Sequence, residues 1–170
     1  MNELTFEKAI NLLINYNISK PVFEHCLMVS EIAEDIANKI MNNGHYVDVD
    51  LVRVGGLIHD IGRSKTHDIM HGLEGANLLK DYPKLQRICK THIGAGIPKA
   101  EAIELGLGDE DYLPKTIEEK IISYTDKIVD GEKVISFDQA LEKYRSRLGT
   151  DHPAIERMSK LHEEITKLMS

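Results

Sequence analysis

Tryptophan is absent from the sequence, and aromatic residues make up only 5% of its 170 residues. β-Sandwiches and β-barrels usually rely on aromatic and β-branched residues, so this scarcity favours helices. The two cysteines, Cys26 and Cys89, are too few and too isolated to form a disulfide framework. We therefore expect both to be reduced thiols in a reducing cytoplasm.

Long apolar runs are also missing. No stretch of about 18 apolar residues occurs, and the first residues lack a basic region followed by an apolar core, so neither a membrane span nor a signal peptide is predicted. The formal net charge is −7, and this acidic balance disfavours a broad nucleic-acid or anionic-membrane surface. We expect a cytoplasmic protein without a nucleic-acid or membrane partner.

What the sequence does contain is apolar residues at spacings of three and four along nearly the whole chain, which indicates helices. We predict an all-α fold, with residues 1–170 forming one compact domain. It should be a bundle of about seven or eight helices, and the C-terminal helices within 137–169 should pack on the rest.

Glycines interrupt this pattern at informative places. Gly55 and Gly56 lie inside a predicted helix, where each costs about 1 kcal/mol relative to alanine, so another backbone is expected to come close. Gly62 is predicted to end that helix. Residues 93–115 are rich in glycine and proline, and both a mobile surface excursion and a lid or binding loop fit this segment.

Six polar residues fall on the apolar faces of predicted helices or at their ends: His25, His59, Asp60, His71, His92 and Asp126. A single histidine on such a face is usually a hydrogen-bonded core residue. Buried carboxylates, however, need cations. The buried stripes offer no Lys or Arg for Asp60 or Asp126, so metal ions are the expected partners.

The chemistry of these ligands narrows the choice of metal. Imidazole and carboxylate without thiolate suit iron, manganese, cobalt, nickel or zinc better than magnesium or calcium. Six ligands can hold two ions, and Asp60 is then the natural bridging group. We expect one or two divalent transition metal ions as cofactors, with iron first.

The pair His59-Asp60, which follows an apolar helix and precedes Ile61-Gly62, resembles the HD superfamily of metal-dependent phosphohydrolases in its HDIG form. The resemblance covers roughly residues 21–130 and implies an HD-type helical bundle. The first-metal pattern of that superfamily corresponds to His25, His59, Asp60 and Asp126. Dinuclear members add two histidines, which correspond to His71 in MHGLEGA and His92 in KTHIGAG.

Neighbouring residues complete the resemblance. His67 could replace His71 as a ligand, although its surroundings, KTHD, suggest a polar loop. Arg63 corresponds to the basic residue that follows HDIG and would bind a phosphoryl oxygen, although a solvated surface arginine is the alternative. Lys127 and Lys65 are further substrate-binding candidates. The resemblance thus implies Asp60, Arg63 and Lys127 as catalytic residues.

The implied reaction is hydrolysis of a phosphate ester or anhydride of a small nucleotide-like metabolite by metal-activated water. The segments THIGAGI and YLPKTIEEKIISYTDKIVD resemble a group of small archaeal HDIG proteins. The dinuclear layout also resembles bacterial dinucleoside tetraphosphate hydrolases and an iron-dependent phosphodiesterase of methanopterin synthesis. The residues do not choose among these substrates.

Two other functions would use the same ligands. Some HD proteins with two irons are oxygenases, and the six ligands do not distinguish them from hydrolases. A non-catalytic regulatory module that binds a nucleotide or a metal would be indicated by a missing ligand, and none is missing here. The sequence leaves the oligomeric state open.

Overall fold

A computed structural model describes residues 3–170. These residues form nine α-helices, which are α1 (Phe6–Asn15), α2 (Lys20–Asn42), α3 (Val49–Ile58), α4 (His71–Leu78), α5 (Pro83–Thr91), α6 (Lys99–Glu104), α7 (Ile117–Ile128), α8 (Phe137–Leu148) and α9 (Pro153–Met169). Two short 3₁₀ helices cover Ile61–Ser64 and Ile93–Ala95. The strands β1 (Val129–Asp130) and β2 (Lys133–Val134) pair antiparallel, with Val129 opposite Val134.

The prediction of an all-α fold is confirmed. The described residues contain more helices than the seven or eight expected, because two of them are short: α4 has 8 residues and α6 has 6. None of the helices within residues 3–170 has the length and apolarity needed to cross a membrane.

Local sequence sets where the helices begin. Proline occupies one of the first two positions of α2, α5 and α9, where its missing N–H is not needed. Thr5 caps α1 by accepting a hydrogen bond from the backbone N–H of Lys8. Ser136 and Gln139 form a reciprocal capping box at the start of α8.

The centre of the molecule is built from α2, α3 and α7. Its largest apolar side chains are fully buried, and burial of each contributes about 1.5–3 kcal/mol. Those with 0% exposure in these three helices are Val29, Ile40, Val52, Leu57, Ile58, Ile121 and Ile122.

The expected close approach of two backbones occurs at Gly56. A Cβ atom there would lie 2.8 Å from the Cα of Ser30, so α3 rests directly on α2. The hydroxyl of Ser30 donates to the carbonyl of Arg53 at 2.7 Å across the same contact. Gly55 faces the side-chain ends of Ile122 and Ile88 instead of a backbone.

The prediction that Gly62 ends α3 is wrong. Helix α3 ends at Ile58, and Gly62 lies inside the following 3₁₀ helix. A Cβ at Gly62 would lie 1.8 Å from the carbonyl oxygen of His71 and 2.5 Å from the backbone nitrogen of Gly75. Glycine is therefore required so that α4 can bring His71 up to the end of α3.

Residues 93–115 pack as a small unit of their own. Ile97, Ala102, Leu107 and Tyr112 form a second apolar cluster, which also contacts Leu73 of α4. The carboxylate of Glu101 accepts two hydrogen bonds, of 2.7 and 2.8 Å, from the guanidinium of Arg157, which joins α6 to α9. The segment that begins directly after His92 is thus anchored to two parts of the fold.

Candidate metal centre

Six polar side chains meet where α2, α3, α4, α5 and α7 converge. They are His25 in α2, His59 and Asp60 after α3, His71 at the start of α4, His92 after α5 and Asp126 in α7. His59 is fully buried, whereas the side chains of His25 and Asp126 are each 17% exposed. The cluster is therefore internal, with one edge open to solvent.

Three of the histidines make the same kind of contact with the backbone. In each, Nδ1 lies within hydrogen-bond distance of the carbonyl oxygen three residues earlier. The pairs are His59 with Gly56 (2.7 Å), His71 with Asp68 (2.6 Å) and His92 with Cys89 (2.8 Å). Because a carbonyl oxygen only accepts, Nδ1 must carry a proton, so a ring in its neutral form presents the lone pair of Nε2 to the cluster.

One group of atoms contains Asp60, His71 and His92. The Nε2 atoms of the two histidines lie 3.1 Å apart. The Oδ1 atom of Asp60 lies 3.2 Å from the first and 3.3 Å from the second. This oxygen is buried and has no hydrogen-bond partner. Three electron-rich atoms thus face one another, an arrangement that a cation between them would stabilise.

A second group contains His25, His59 and Asp126. The Oδ1 atom of Asp126 lies 3.0 Å from the Nε2 of His25 and 3.3 Å from the Nε2 of His59. The Nε2 of His59 is buried without a hydrogen-bond partner and lies 3.8 Å from Oδ2 of Asp60. Atoms that bind one ion at about 2.1 Å lie roughly 3–4 Å apart, so both groups fit the spacing of metal ligands.

The other oxygen atom of each carboxylate is paired with a cationic side chain. Oδ2 of Asp60 accepts from Nε of Arg63 at 2.8 Å, and Oδ2 of Asp126 accepts from Nζ of Lys127 at 2.6 Å. The expectation that no Lys or Arg pairs with these carboxylates is therefore wrong. Lys127 is 3% exposed, and its ammonium also donates to the carbonyl of His92 at 2.6 Å. Each carboxylate is thus fixed through Oδ2 and turns Oδ1 towards the imidazoles.

The protonation states of two cluster residues favour metal binding. Burial alone would raise the pKa of Asp126, but the adjacent Lys127 ammonium lowers it, and the pKa lies well below its usual range. Burial lowers the pKa of His92 to about 4. Near neutral pH the cluster therefore offers an ionised carboxylate and a neutral imidazole, the forms that bind metal ions.

A family model described as "HD domain" matches residues 22–129. The chain belongs to the HD domain family. The matched range contains all six cluster residues. The expected membership of this family is confirmed.

Curated relatives of this HD domain protein align with nearly its whole length. It is 50% identical over 169 residues to the uncharacterised protein MJ0778 of Methanocaldococcus jannaschii, covering 98% of this chain and 99% of that protein. It is 38% and 36% identical to proteins named tRNA (cytidine(56)-2′-O)-methyltransferase from Picrophilus torridus and Thermoplasma volcanium. The alignments cover 54% and 46% of those two proteins, so the chain spans about half their length.

Two solved structures share the fold of this HD domain. The HD domain of the Listeria monocytogenes phosphodiesterase PgpH superimposes with a TM-score of 0.55 and 20% identity, covering 94% of this chain and 99% of that one. The same domain in complex with cyclic-di-AMP gives a TM-score of 0.55 and 21% identity, covering 93% and 95%. At this identity the likeness concerns the fold, and it confirms an HD-type helical architecture.

A pocket of about 380 Å³ opens beside the cluster. Its lining includes the cluster residues His25, Asp60 and Asp126 and the two predicted substrate-binding residues Arg63 and Lys127. Two other candidates from the sequence, Lys65 and His67, lie outside this lining. Lys65 is exposed outside this lining, with Nζ 5.6 Å from the ring centre of Tyr16. His67 is exposed, and its carbonyl accepts from Nη1 of Arg63 at 3.2 Å.

Sequence reasoning missed one wall of this pocket. Helix α8 supplies Lys143, Tyr144 and Arg147, and strand β1 supplies Asp130. No motif marks these residues, and charged positions near the end of a helix look like an ordinary solvated surface. The local pattern that could have found them is the spacing of three and four between the α8 residues, which places them on one face.

Proposed function

We propose that this HD domain protein is a metal-dependent phosphohydrolase that acts on a phosphate ester or anhydride of a small nucleotide-like metabolite. The observation that carries the proposal is the arrangement of the six side chains. They form two groups of possible metal ligands that share Asp60, at the edge of a pocket lined by cationic side chains. A phosphorylated substrate needs such a combination, because its charge must be met while water attacks.

The donor groups assign ligands to two ions. His25, His59, Asp60 and Asp126 would hold the first ion, and Asp60, His71 and His92 would hold the second. Both are expected to be divalent transition metals, with iron first and manganese, cobalt, nickel or zinc as alternatives. When bound, such ions lower the pKa of water to near 7 and offset the charge on phosphoryl oxygens.

The basic residues of the pocket have separate roles. Nε and Nη1 of Arg63 hold Asp60 and the carbonyl of His67, which leaves Nη2 to donate to a substrate phosphoryl oxygen. The ammonium of Lys127 spends two of its three protons on Asp126 and on the carbonyl of His92. We therefore assign Lys127 chiefly to positioning Asp126, with at most one proton left for the substrate.

The size and charge of the molecule favour a small substrate. A pocket of about 380 Å³ falls in the range of about 300–1,000 Å³ that is usual for small-molecule sites. The net charge of −7 opposes extended binding to nucleic acid. A phosphorylated nucleotide or a metabolite of similar size satisfies both.

The test starts with metal analysis of protein purified without oxygen, followed by a panel of mono-, cyclic and dinucleotide phosphates with each metal. We expect metal-dependent release of phosphate or of a nucleotide. His59→Ala and Asp60→Ala should lower metal content and reduce the rate by more than about 100-fold. Unchanged metal content and activity in both variants would refute the proposal, and oxygen consumption during turnover would indicate an oxygenase instead.

A second candidate concerns the source of the phosphate. The two tRNA-methyltransferase relatives are about twice as long as this chain, and the chain matches about half of each. This association favours a substrate derived from tRNA, such as a phosphate at a tRNA end or on a nucleotide released from tRNA. Adding tRNA with terminal phosphates to the panel tests this candidate, and faster hydrolysis of tRNA than of free nucleotides would support it.

A further inference from the structure

The pocket contains one more cation than carboxylates. Its lining includes the basic residues Arg63, Lys127, Lys143 and Arg147 and the acidic residues Asp60, Asp126 and Asp130. Three of the cations are each paired with one carboxylate: Arg63 with Asp60, Lys127 with Asp126, and Lys143 with Asp130. Within residues 3–170, no carboxylate oxygen lies within 4.0 Å of the guanidinium of Arg147. Among the four cationic side chains that line the pocket, Arg147 is therefore the one without a carboxylate partner in residues 3–170.

The position of Arg147 follows from the helix that carries it. Ala140, Lys143, Tyr144 and Arg147 line the pocket from one face of α8. Ala140 is 1% exposed at the inner end of this face, and Arg147 lies seven residues further along, roughly 10 Å at 1.5 Å per residue. Arg147 thus stands at the outer end of the pocket, one turn beyond Lys143.

An aromatic ring restrains this arginine. The guanidinium carbon of Arg147 lies 5.0 Å from the ring centre of Tyr144, within the range of a cation–π contact. Such a contact limits the conformations of the side chain without neutralising it, and the planar donor edge stays available for a phosphate. An arginine held this way loses less entropy when it binds an anion.

We propose that Arg147 binds a second phosphoryl group of the substrate, beyond the one that reacts at the cluster. This inference rests on the proposed function and narrows its substrate class to compounds with at least two phosphoryl groups, such as nucleoside diphosphates. Tyr144 acts as a positioning residue for the guanidinium. A simple role in neutralising the end of the α8 dipole is the competing explanation, and Arg145 in the same last turn would share that role.

The experiment measures binding to the metal-loaded protein by isothermal titration calorimetry. The probes are AMP, with one phosphoryl group, and α,β-methylene-ADP, with two phosphoryl groups joined by a bond that resists hydrolysis. Chromatography after each titration checks that the probes are intact. Arg147→Gln is compared with Arg145→Gln, which removes one positive charge from the same helical turn outside the pocket lining.

We expect Arg147→Gln to weaken binding of α,β-methylene-ADP about 10-fold and of AMP less than about 2-fold, since a charge-assisted hydrogen bond to phosphate is lost. Arg145→Gln should change neither by more than about 2-fold. Equal effects of Arg147→Gln on both probes, or no effect on either, would overturn the inference. Metal-dependent hydrolysis that Asp60→Ala abolishes would then still support the proposed function, whereas the absence of hydrolysis alongside selective binding would refute only that function.

Discussion

The Nε2 atoms of His71 and His92 face each other at 3.1 Å, and in neutral rings whose Nδ1 donates to a backbone carbonyl neither Nε2 carries a proton. Two lone pairs at this separation repel, and Oδ1 of Asp60 adds a third electron-rich atom within 3.3 Å of both. Such an arrangement is unfavourable on its own. It becomes favourable when a cation is bound by all three atoms, which links metal binding to stability.

Metal removal should therefore destabilise the protein. With free metal about 100-fold above Kd, binding to the folded state adds about 2.7 kcal/mol, which corresponds to a rise in Tm of roughly 5–10 °C for a chain of this size. Thermal unfolding followed by circular dichroism, with chelator and then with increasing metal, measures this shift. A Tm that does not depend on metal would contradict the proposed centre.

The assignment of His71 over His67 can be tested by metal stoichiometry. His71 is buried in the cluster, whereas His67 is exposed. We expect His71→Ala to lower the metal content from about two ions per chain to about one, and His67→Ala to leave it unchanged. Plasma mass spectrometry of the purified variants gives both values, and the reverse result would transfer the ligand role to His67.

The two carboxylates should differ in what their loss removes. Asp60 contacts both groups of imidazoles, whereas Asp126 contacts only His25 and His59. Asp60→Asn should therefore weaken the binding of both ions, and Asp126→Asn should weaken the binding of only one. Titration with manganese followed by electron paramagnetic resonance distinguishes the two patterns. Identical loss in both variants would exclude Asp60 as the shared ligand.

Much of the fold was accessible from local sequence. Spacings of three and four predicted the helices, because burial of one face repeats at that period. The order of His59, Asp60 and the more distant polar residues also indicated the family. These features are encoded within single helices or in short motifs, where chain neighbours determine the outcome.

The parts that sequence reasoning missed depend on contacts between distant segments. Lys127 directly follows Asp126, and helical periodicity turns adjacent residues to different sides, yet its long side chain bends back to Asp126 and to the carbonyl of His92. Arg147 is exposed, and only the packing of α8 against α7 brings it to the pocket. The requirement at Gly62 comes from the backbone of His71, nine positions later.

Lys127 should matter for stability as well as for activity. Lys127→Met leaves Oδ2 of Asp126 without its ammonium partner in a mostly buried site, and breaking such a pair costs about 3–5 kcal/mol. The matched control is Lys120→Met in the same helix, because Lys120 pairs with Glu164 at the surface and its loss should cost less than about 1 kcal/mol. Urea unfolding of the metal-loaded proteins compares them, and equal costs would show that the buried pair contributes no more than a surface pair.

Gly62→Ala should push the start of α4, and with it His71, away from the metal-ligand cluster. The new methyl group would meet the carbonyl oxygen of His71 at 1.8 Å and the backbone nitrogen of Gly75 at 2.5 Å, and backbone atoms cannot move aside as a side chain can. We expect a loss of about 3 kcal/mol or more in unfolding free energy, at the upper end of overpacking, together with loss of the ion held by His71. The control Gly55→Ala meets only the side-chain ends of Ile122 and Ile88, and the better helix propensity of alanine offsets part of that contact. If Gly62→Ala keeps wild-type stability and metal content, the path of α4 past the HDIG segment does not depend on glycine.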